Sequence, residues 1–361
     1  MIRTIGFPGR YLQGPGALAL LPGLLDELGA RRPVLLADGV VRAALGEAVD
    51  AHFAAAGTRP AWLDFPGECS AAAIAALADA APQCDAVAAL GGGKTIDTAK
   101  GLAKRAGARL VIAPTIASND SPTSRLIVLY DDAHRVAGVE LMVRNPDVVL
   151  VDTEVIARAP VRFFAAGIGD ALSKTYESRQ CWLAGGRNFY GTPSLSTARM
   201  MADRCHATIA EHGEAALRRV EQARAPDDAV EAVVEATVLL SGIGFESGGL
   251  SLAHALVRGF SAHPVLGGYL HGELVSFGTL VQLVAEGRSD EELAAHAAFA
   301  RRLRLPIAFG DFGLGMPPAH ELDEMARITC TAPYIGHLQR PVDAAAVAAA
   351  LRHAHRIGSA A

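Results

Sequence analysis

The sequence predicts a two-part protein, an α/β N-terminal domain built on a parallel sheet followed by an all-helical C-terminal domain. Three observations predict it. Short apolar runs alternate with alanine-rich stretches as far as Asp152, the alternation expected of strand–helix–strand units that share a parallel sheet. Beyond that point apolar residues recur at helical spacing, and no segment alternates convincingly with a period of two. The length of 361 residues also exceeds the range, roughly 250–300, at which a single hydrophobic core stops growing.

Taken in order, residues 34–37, 61–65, 86–90 and 110–113 are apolar runs bounded by Gly, Pro or Asp and read as strands. The stretches 40–56, 71–81 and 95–106 between them are long enough for helices. Residues 126–130, 138–143 and 148–151 read as further strands, the first two able to pair as a hairpin across 131–137. Apolar-periodic segments then predict helices over 162–183, 194–212, 228–245, 248–260, 272–285 and 290–303. The pattern changes between 152 and 160, which divides the chain into residues 1–157 and residues 158–361.

Composition narrows the function. Hydrophobic residues make up 51% and charged residues 20%, enough to build a real core. A net charge of −5, with Lys and Arg scattered in pairs such as Arg31-Arg32 and Arg301-Arg302, argues against a nucleic-acid partner. The five cysteines, Cys69, Cys84, Cys181, Cys205 and Cys330, form no C-x-x-C pair, so neither a disulfide framework nor a cysteine-based zinc site is expected. The N-terminal MIRTIGFPGR has no apolar signal region, and Gly, Pro or charge interrupts every apolar stretch before it could span a bilayer. These features predict a cytoplasmic enzyme with no membrane partner.

The most informative local string is Gly91-Gly92-Gly93-Lys94-Thr95-Ile96-Asp97, which follows the apolar run 86–90. Glycines let backbone approach a ligand closely, and the free N–H groups of a helix start attract phosphate. The string is neither G-x-G-x-x-G, since position 96 is Ile, nor a P-loop, since position 88 is Ala. Three glycines can also simply make a tight turn. Asp38, at the end of the run 34–37, is placed to hold the ribose hydroxyls of a dinucleotide, and its charge would oppose a 2′-phosphate. Asp before Gly39 is equally an ordinary turn signal. Because the acid precedes the glycines, a cofactor domain here would be a Rossmann-like variant.

Five strings in order carry a resemblance: 91–100 (GGGKTIDTAK), 114–124 (PTIASNDSPTS), 144–153 (RNPDVVLVDT), 165–172 (AAGIGDAL) and 241–249 (SGIGFESGG). Together they resemble the glycerol dehydrogenase branch of the iron-containing-type alcohol dehydrogenases, over about residues 5 to 285. The resemblance implies the architecture shared with dehydroquinate synthase, with NAD, one divalent metal and an alcohol held between the two domains. By resemblance Asp38, Gly93, Lys94, Thr115, Ser118, Ser124, Leu126 and Tyr130 fall on NAD-contacting positions, Asp120 on the position that touches a polyol, and Asp170, His254 and His271 on the metal ligands. It implies oxidation of glycerol or a related vicinal diol, and a homo-oligomer.

The ligand set makes chemical sense. Asp170 follows Gly167-Ile168-Gly169 inside a helical segment, where glycines cost stability unless a cofactor or another helix comes close. Two imidazoles and a carboxylate leave one position open, as a catalytic zinc requires, and zinc is the expected ion, with iron and manganese also allowed by ligand type. Against this, the chain has 12 histidines, and one on an apolar face is commonly a core residue. His263, in the loop 263–269, is a candidate pocket residue, and Phe245 either an apolar wall or simple core. For Asp120 the competing role is an Asx turn before Ser121-Pro122.

Some positions depart from the family pattern. Asn119 stands beside Asp120 where Thr is common, Arg125 replaces a small residue, residues 265–270 are unexpectedly apolar, and 173–177 (SKTYE) are unexpectedly polar. These leave another small alcohol, an aldehyde or a hydroxy-ketone open as substrate. A dehydroquinate-synthase-like lyase is a remote alternative, since its anionic substrate calls for clustered cations and only Arg258 lies near either histidine in sequence.

Overall fold

The strand β4 (Ala86–Gly91) is buried along its whole length because it lies in the middle of a six-stranded parallel sheet. The computed structural model describes residues 2–131 and 135–361. Its strands are β1 (Arg10–Gly14), β2 (Pro33–Ala37), β3 (Ala61–Asp64), β4, β5 (Arg109–Pro114), β6 (Leu126–Tyr130), β7 (Val136–Leu141) and β8 (Val148–Asp152). The main sheet runs β1-β8-β5-β4-β2-β3, all pairings parallel. Strands β6 and β7 pair antiparallel, as predicted, with a bulge between Leu129 and Tyr130; part of the expected connection, residues 132–134, lies outside the described residues.

The period of two along each strand sorts side chains between two cores. Leu35, Ala88, Val111 and Leu150 face one way, onto α1 (Leu21–Glu27) and α2 (Gly39–Ala55). Val34, Leu36, Val87, Ala89 and Ile112 face the other, onto α3 (Ala71–Ala80) and α4 (Gly93–Ala106). Strand β8 joins the halves: Val148 and Leu150 belong to the first core, whereas Val149 and Val151 enter the helical core.

From Thr153 onward the described residues are helical or irregular: α5 (Thr153–Arg158), α6 (Val161–Leu172), α7 (Lys174–Leu183), α8 (Ser196–Ala223), α9 (Asp228–Val234), α10 (Ser241–Gly248), α11 (Leu252–Ala262), α12 (His271–Glu286), α13 (Asp290–Arg302), α14 (Ala319–Thr329) and α15 (Ala344–Ala360). Phe260 stacks on Phe277, which also meets Phe309 edge-on. Each such buried ring is worth about 1.5–3 kcal/mol in transfer free energy.

Several elements differ from expectation for identifiable reasons. Strand β1 was not predicted because RYLQG is a half-exposed edge with no apolar run. The helix expected over 162–183 is two, since the Ser173 Oγ and N–H both donate to the Asp170 carbonyl (2.8 and 3.2 Å) and tighten the turn. The helix expected from 248 starts at Leu252 because Gly249, at φ +97°, ends α10. Between α9 and α10 the chain makes a π-helical turn, Glu235–Leu240. Helix α8 runs on to Ala223, and α14 and α15 extend the helical half beyond the last predicted segment. Among the described residues no helix is long and apolar enough to cross a membrane.

Candidate active site

The first part of the site is made by the sheet's topology. From β2 the chain moves outward to β3, and from β4 it moves the opposite way to β5, so the crevice between β2 and β4 is the switch point where α/β sheets bind ligands. The pairing Ala37↔Leu90 brings Asp38 beside Gly91, and Gly91↔Pro114 brings Thr115 beside Gly92. The three glycines are closely covered by protein. A Cβ would lie 2.7 Å from Thr95 at Gly91, 2.7 Å from Ile116 at Gly92 and 2.6 Å from the Asn119 amide at Gly93. Asn119 therefore forms the wall over the start of α4. Asp38 caps α2, its Oδ1 accepting from the Val41 N–H at 2.8 Å, so the ordinary turn role is fulfilled at the crevice mouth.

The remaining expected cofactor positions are held by contacts that lead back to α4 and β4. Lys94 donates to Glu68 Oε2 at 2.6 Å and stands 4.7 Å from the Tyr130 ring centre. Thr115 and Ser118 belong to the loop after β5, and the Thr115 N–H donates to Gly91 O at 3.1 Å. Ser124 and Leu126 are gathered by Lys100, a fully buried lysine of α4. Its Nζ reaches Asp97 Oδ1, Ser121 O, Ser124 Oγ and Leu126 O at 2.7–3.3 Å. The sequence reading quoted Lys100 within its motif and assigned it no role. Its i+3 spacing from Asp97 was the available signal.

The second part comes from the helical half. Gly167 sits where a Cβ would lie 1.9 Å from the Ala117 carbonyl oxygen, and Gly272 where one would lie 1.7 Å from that of Ala166. The glycines before Asp170 thus serve close packing, which brings the loop 115–120, α6 and the start of α12 together. Asp170 Oδ1 lies 3.2 Å from His254 Nε2 and 3.9 Å from His271 Nε2, and the two Nε2 atoms are 3.3 Å apart. The three residues form a group whose donor atoms all lie within 4.8 Å of one another.

The far side of His254 is fixed by Glu177. Its Oε2 is 2.6 Å from His254 Nδ1, while its Oε1 accepts from the N–H groups of Ser251 and His254 (2.9 and 3.0 Å). A carboxylate on Nδ1 aims the Nε2 lone pair inward, the arrangement usual behind metal-binding histidines. Asp170 Oδ2 is buried and has no hydrogen-bond partner among the described residues. An unsatisfied carboxylate oxygen beside two inward imidazole nitrogens suits a divalent cation.

Lys174 is the feature that sequence reading missed. Its side chain is fully buried, and its Nζ lies 2.5 Å from Asp170 Oδ1, 2.9 Å from Asp120 Oδ2 and 3.1 Å from His254 Nε2. Residues 170, 174 and 177 keep i, i+4, i+7 spacing across the α6–α7 junction, which was the readable signal for both Lys174 and Glu177. Arg258, the one cation close in sequence to either histidine, donates to the Thr331 carbonyl. Asp120 makes no Asx turn, since Asn119 Oδ1 accepts the Ser121 N–H. Phe245 stands 5.9 Å from Lys174 Nζ, close enough to wall the site. His263 is engaged elsewhere, its Nδ1 accepting from Val265 and Leu266 and its Nε2 facing Glu321. The Arg125 guanidinium donates to Phe189 O at 2.7 Å and lies against Glu246 and the Tyr190 ring.

These charges set each other. Burial most strongly disfavours charge on His254, but the Glu177 and Asp170 carboxylates together outweigh it and hold the pKa up to about 9. Lost hydration pushes His271 below its ordinary value against the pull of Asp170. Burial opposes the Asp170 charge too, yet the Lys174 ammonium holds that carboxyl well below the usual carboxylate range. Burial and then the Asp170 charge push Asp120 up.

A parallel sheet with a glycine turn at its switch point, beside helices presenting a carboxylate and two imidazoles, has the form of a dinucleotide-binding fold next to a candidate metal site. Residues 12–160 match the iron-containing alcohol dehydrogenase family. The chain is 40% identical to a glycerol dehydrogenase of Escherichia coli O6:H1, over 91% of this chain and 90% of that protein. It is 37% identical to a glycolaldehyde reductase of Halobacterium salinarum, over 90% and 88%. The crystal structure of a probable glycerol dehydrogenase from Sinorhizobium meliloti 1021 superposes with a TM-score of 0.93 at 34% identity, covering 99% of both chains. The chain belongs to the iron-containing alcohol dehydrogenase family, a family of NAD-dependent and metal-dependent enzymes, and is an alcohol dehydrogenase.

Proposed function

We propose that this enzyme oxidises a small vicinal diol, glycerol foremost, passing hydride to NAD. We assign one divalent ion, zinc by ligand chemistry, to Asp170, His254 and His271. The observation that carries this reading is the convergence of Asp170 Oδ1 and the Nε2 atoms of both histidines next to the Asp120 carboxylate. A bound divalent cation supplies Lewis acidity there, easing loss of the hydroxyl proton. The chain's own groups do the rest. Asp120 accepts a hydrogen bond from the neighbouring hydroxyl and so orients the reacting carbon. Glu177 keeps His254 in the tautomer that presents Nε2. Phe245 limits water on one side. We assign NAD to Asp38, Gly93, Lys94, Thr115, Ser118, Ser124, Leu126 and Tyr130, with its phosphates towards the start of α4. Residues 1–157 would act as the NAD-binding unit and 158–361 as the metal-binding one, in a cytoplasmic homo-oligomer.

The test is NAD reduction by zinc-loaded protein on glycerol, 1,2-propanediol, 2,3-butanediol and simple alcohols, with a chelated control. The expected result is chelator-sensitive turnover strongest on glycerol, abolished in His271→Ala. Full turnover in a metal-analysed His271→Ala would remove the metal assignment. A second reading, reduction of a small hydroxy-aldehyde, is favoured by the glycolaldehyde reductase likeness and is tested with NADH and glycolaldehyde in the same assay.

A further inference from the structure

Lys174 touches three groups that the reaction needs, and two of the contacts go to the atoms assigned to the metal. Its Nζ stands 2.5 Å from Asp170 Oδ1 and 3.1 Å from His254 Nε2. Nε2 can accept from the ammonium, or ligate a metal, only in the neutral ring with its proton gone from Nε2, and Glu177 occupies Nδ1 in either case. The third contact, 2.9 Å to Asp120 Oδ2, is an ion pair. The lysine is wholly buried and packed on the Phe245 side of the site, so its four-carbon stem has no route to solvent.

Lys174 already occupies His254 Nε2 and Asp170 Oδ1, leaving Asp170 Oδ2 as the free carboxylate oxygen among the described residues. A divalent ion held by Asp170 and His254 would have to share or displace those contacts and would sit against the ammonium, like charge beside like charge. We propose that Lys174 is a resident cation of this site that competes with the divalent ion for Asp170 and His254. In this scheme the ion enters only as Nζ withdraws fully onto Asp120. The lysine thereby lowers the enzyme's metal affinity and makes the ion readily exchangeable. It also keeps the buried carboxylates compensated when the ion leaves. Asp120 then has two functions, orienting substrate and receiving the displaced ammonium. The inference rests on the assignment of Asp170, His254 and His271 to a metal.

The experiment compares full-length, chelator-stripped wild type with Lys174→Met, Lys174→Thr, Asp120→Asn and His271→Ala. Zinc affinity is read by competition with a chromophoric chelator, and Co2+ absorption reports the ligand set. The expected result is binding at least tenfold tighter in Lys174→Met and weaker in Asp120→Asn, where the ammonium loses its second station. Stripped Lys174→Met should melt below stripped wild type and gain more on zinc addition. Lys174→Thr repeats the affinity measurement should the methionine variant fail to fold. Zinc affinity in both lysine variants within twofold of wild type overturns the competition and leaves the triad standing. Binding that His271→Ala does not weaken, in wild type or variant backgrounds, overturns the triad and the inference with it.

Discussion

Gly169 and Gly272 meet backbone to backbone: a Cβ on Gly169 would lie 2.5 Å from the Gly272 carbonyl oxygen. Each is followed or preceded at once by a functional residue, Asp170 after the first and His271 before the second. The contact that excludes a side chain is therefore the one that sets Asp170 against His271 across two helices.

Gly272→Ala should separate α6 from α12, because its Cβ would stand 1.7 Å from Ala166 O. Overpacking of this kind costs typically about 1–3 kcal/mol. Urea unfolding should report that loss, and the variant should retain little zinc. Gly268→Ala, where nothing lies within 4 Å, is the control and should behave as wild type. Normal zinc content in Gly272→Ala would show that the close approach does not position the ligands.

Glu177→Gln tests the support behind His254. The glutamine oxygen can still accept from the Ser251 and His254 backbone N–H groups, so the helices should stay docked. Losing the carboxylate on Nδ1 should weaken zinc binding by roughly 10–100-fold, the usual consequence of removing such a partner. Unchanged zinc affinity would mean that α11 packing alone orients the ring.

Much of this arrangement could be read from the chain, and what could not be read has a common cause. Strands β2, β4, β5 and β8 declare themselves because a sheet covered on both faces needs uninterrupted apolar runs. Strand β1 is an edge, half exposed, and RYLQG carries no such run. Asp170, His254 and His271 needed the surrounding strings to be recognised, since their spacing is ordinary for histidines in helices. Lys174 and Glu177 were noticed only as unexpected polarity at 173–177. Their i+4 and i+7 relation to Asp170 places them on its side, but nothing in the sequence tells that α10 covers Lys174 through Gly244 and Phe245 and that the start of α11 brings His254 onto both. Burial by a distant element is what turns a surface-looking lysine into part of a site.

Asp120→Asn should separate polyols from simple alcohols. If Asp120 accepts a hydrogen bond from the second hydroxyl, the substitution should cut kcat/KM for glycerol by roughly 10–100-fold, the worth of a charge-assisted hydrogen bond at about 1.5–3 kcal/mol. With zinc saturating, 2-propanol, which has no second hydroxyl, should be little affected. Equal losses on both substrates would place Asp120 in general site structure and remove its orienting role.

The acid limb of stability should report the buried His296. Its ring lies edge-on to Tyr176, 5.8 Å between centres, and burial, reinforced by His206, pushes its pKa down to about 4. An unfolded histidine titrates near 6.5, so between about pH 6.5 and 4 the unfolded chain binds a proton that the folded protein refuses. Stability therefore rises with pH through this window and falls as pH drops, by about 1.4 kcal/mol per unit for this one group. His206, also held below its ordinary value by burial, adds in the same direction. Urea titrations at pH 7 and pH 5 should show the wild type losing more stability than His296→Phe, which keeps the aromatic contact with Tyr176 and removes the titration. Parallel losses in the two proteins would place the acid sensitivity in other groups.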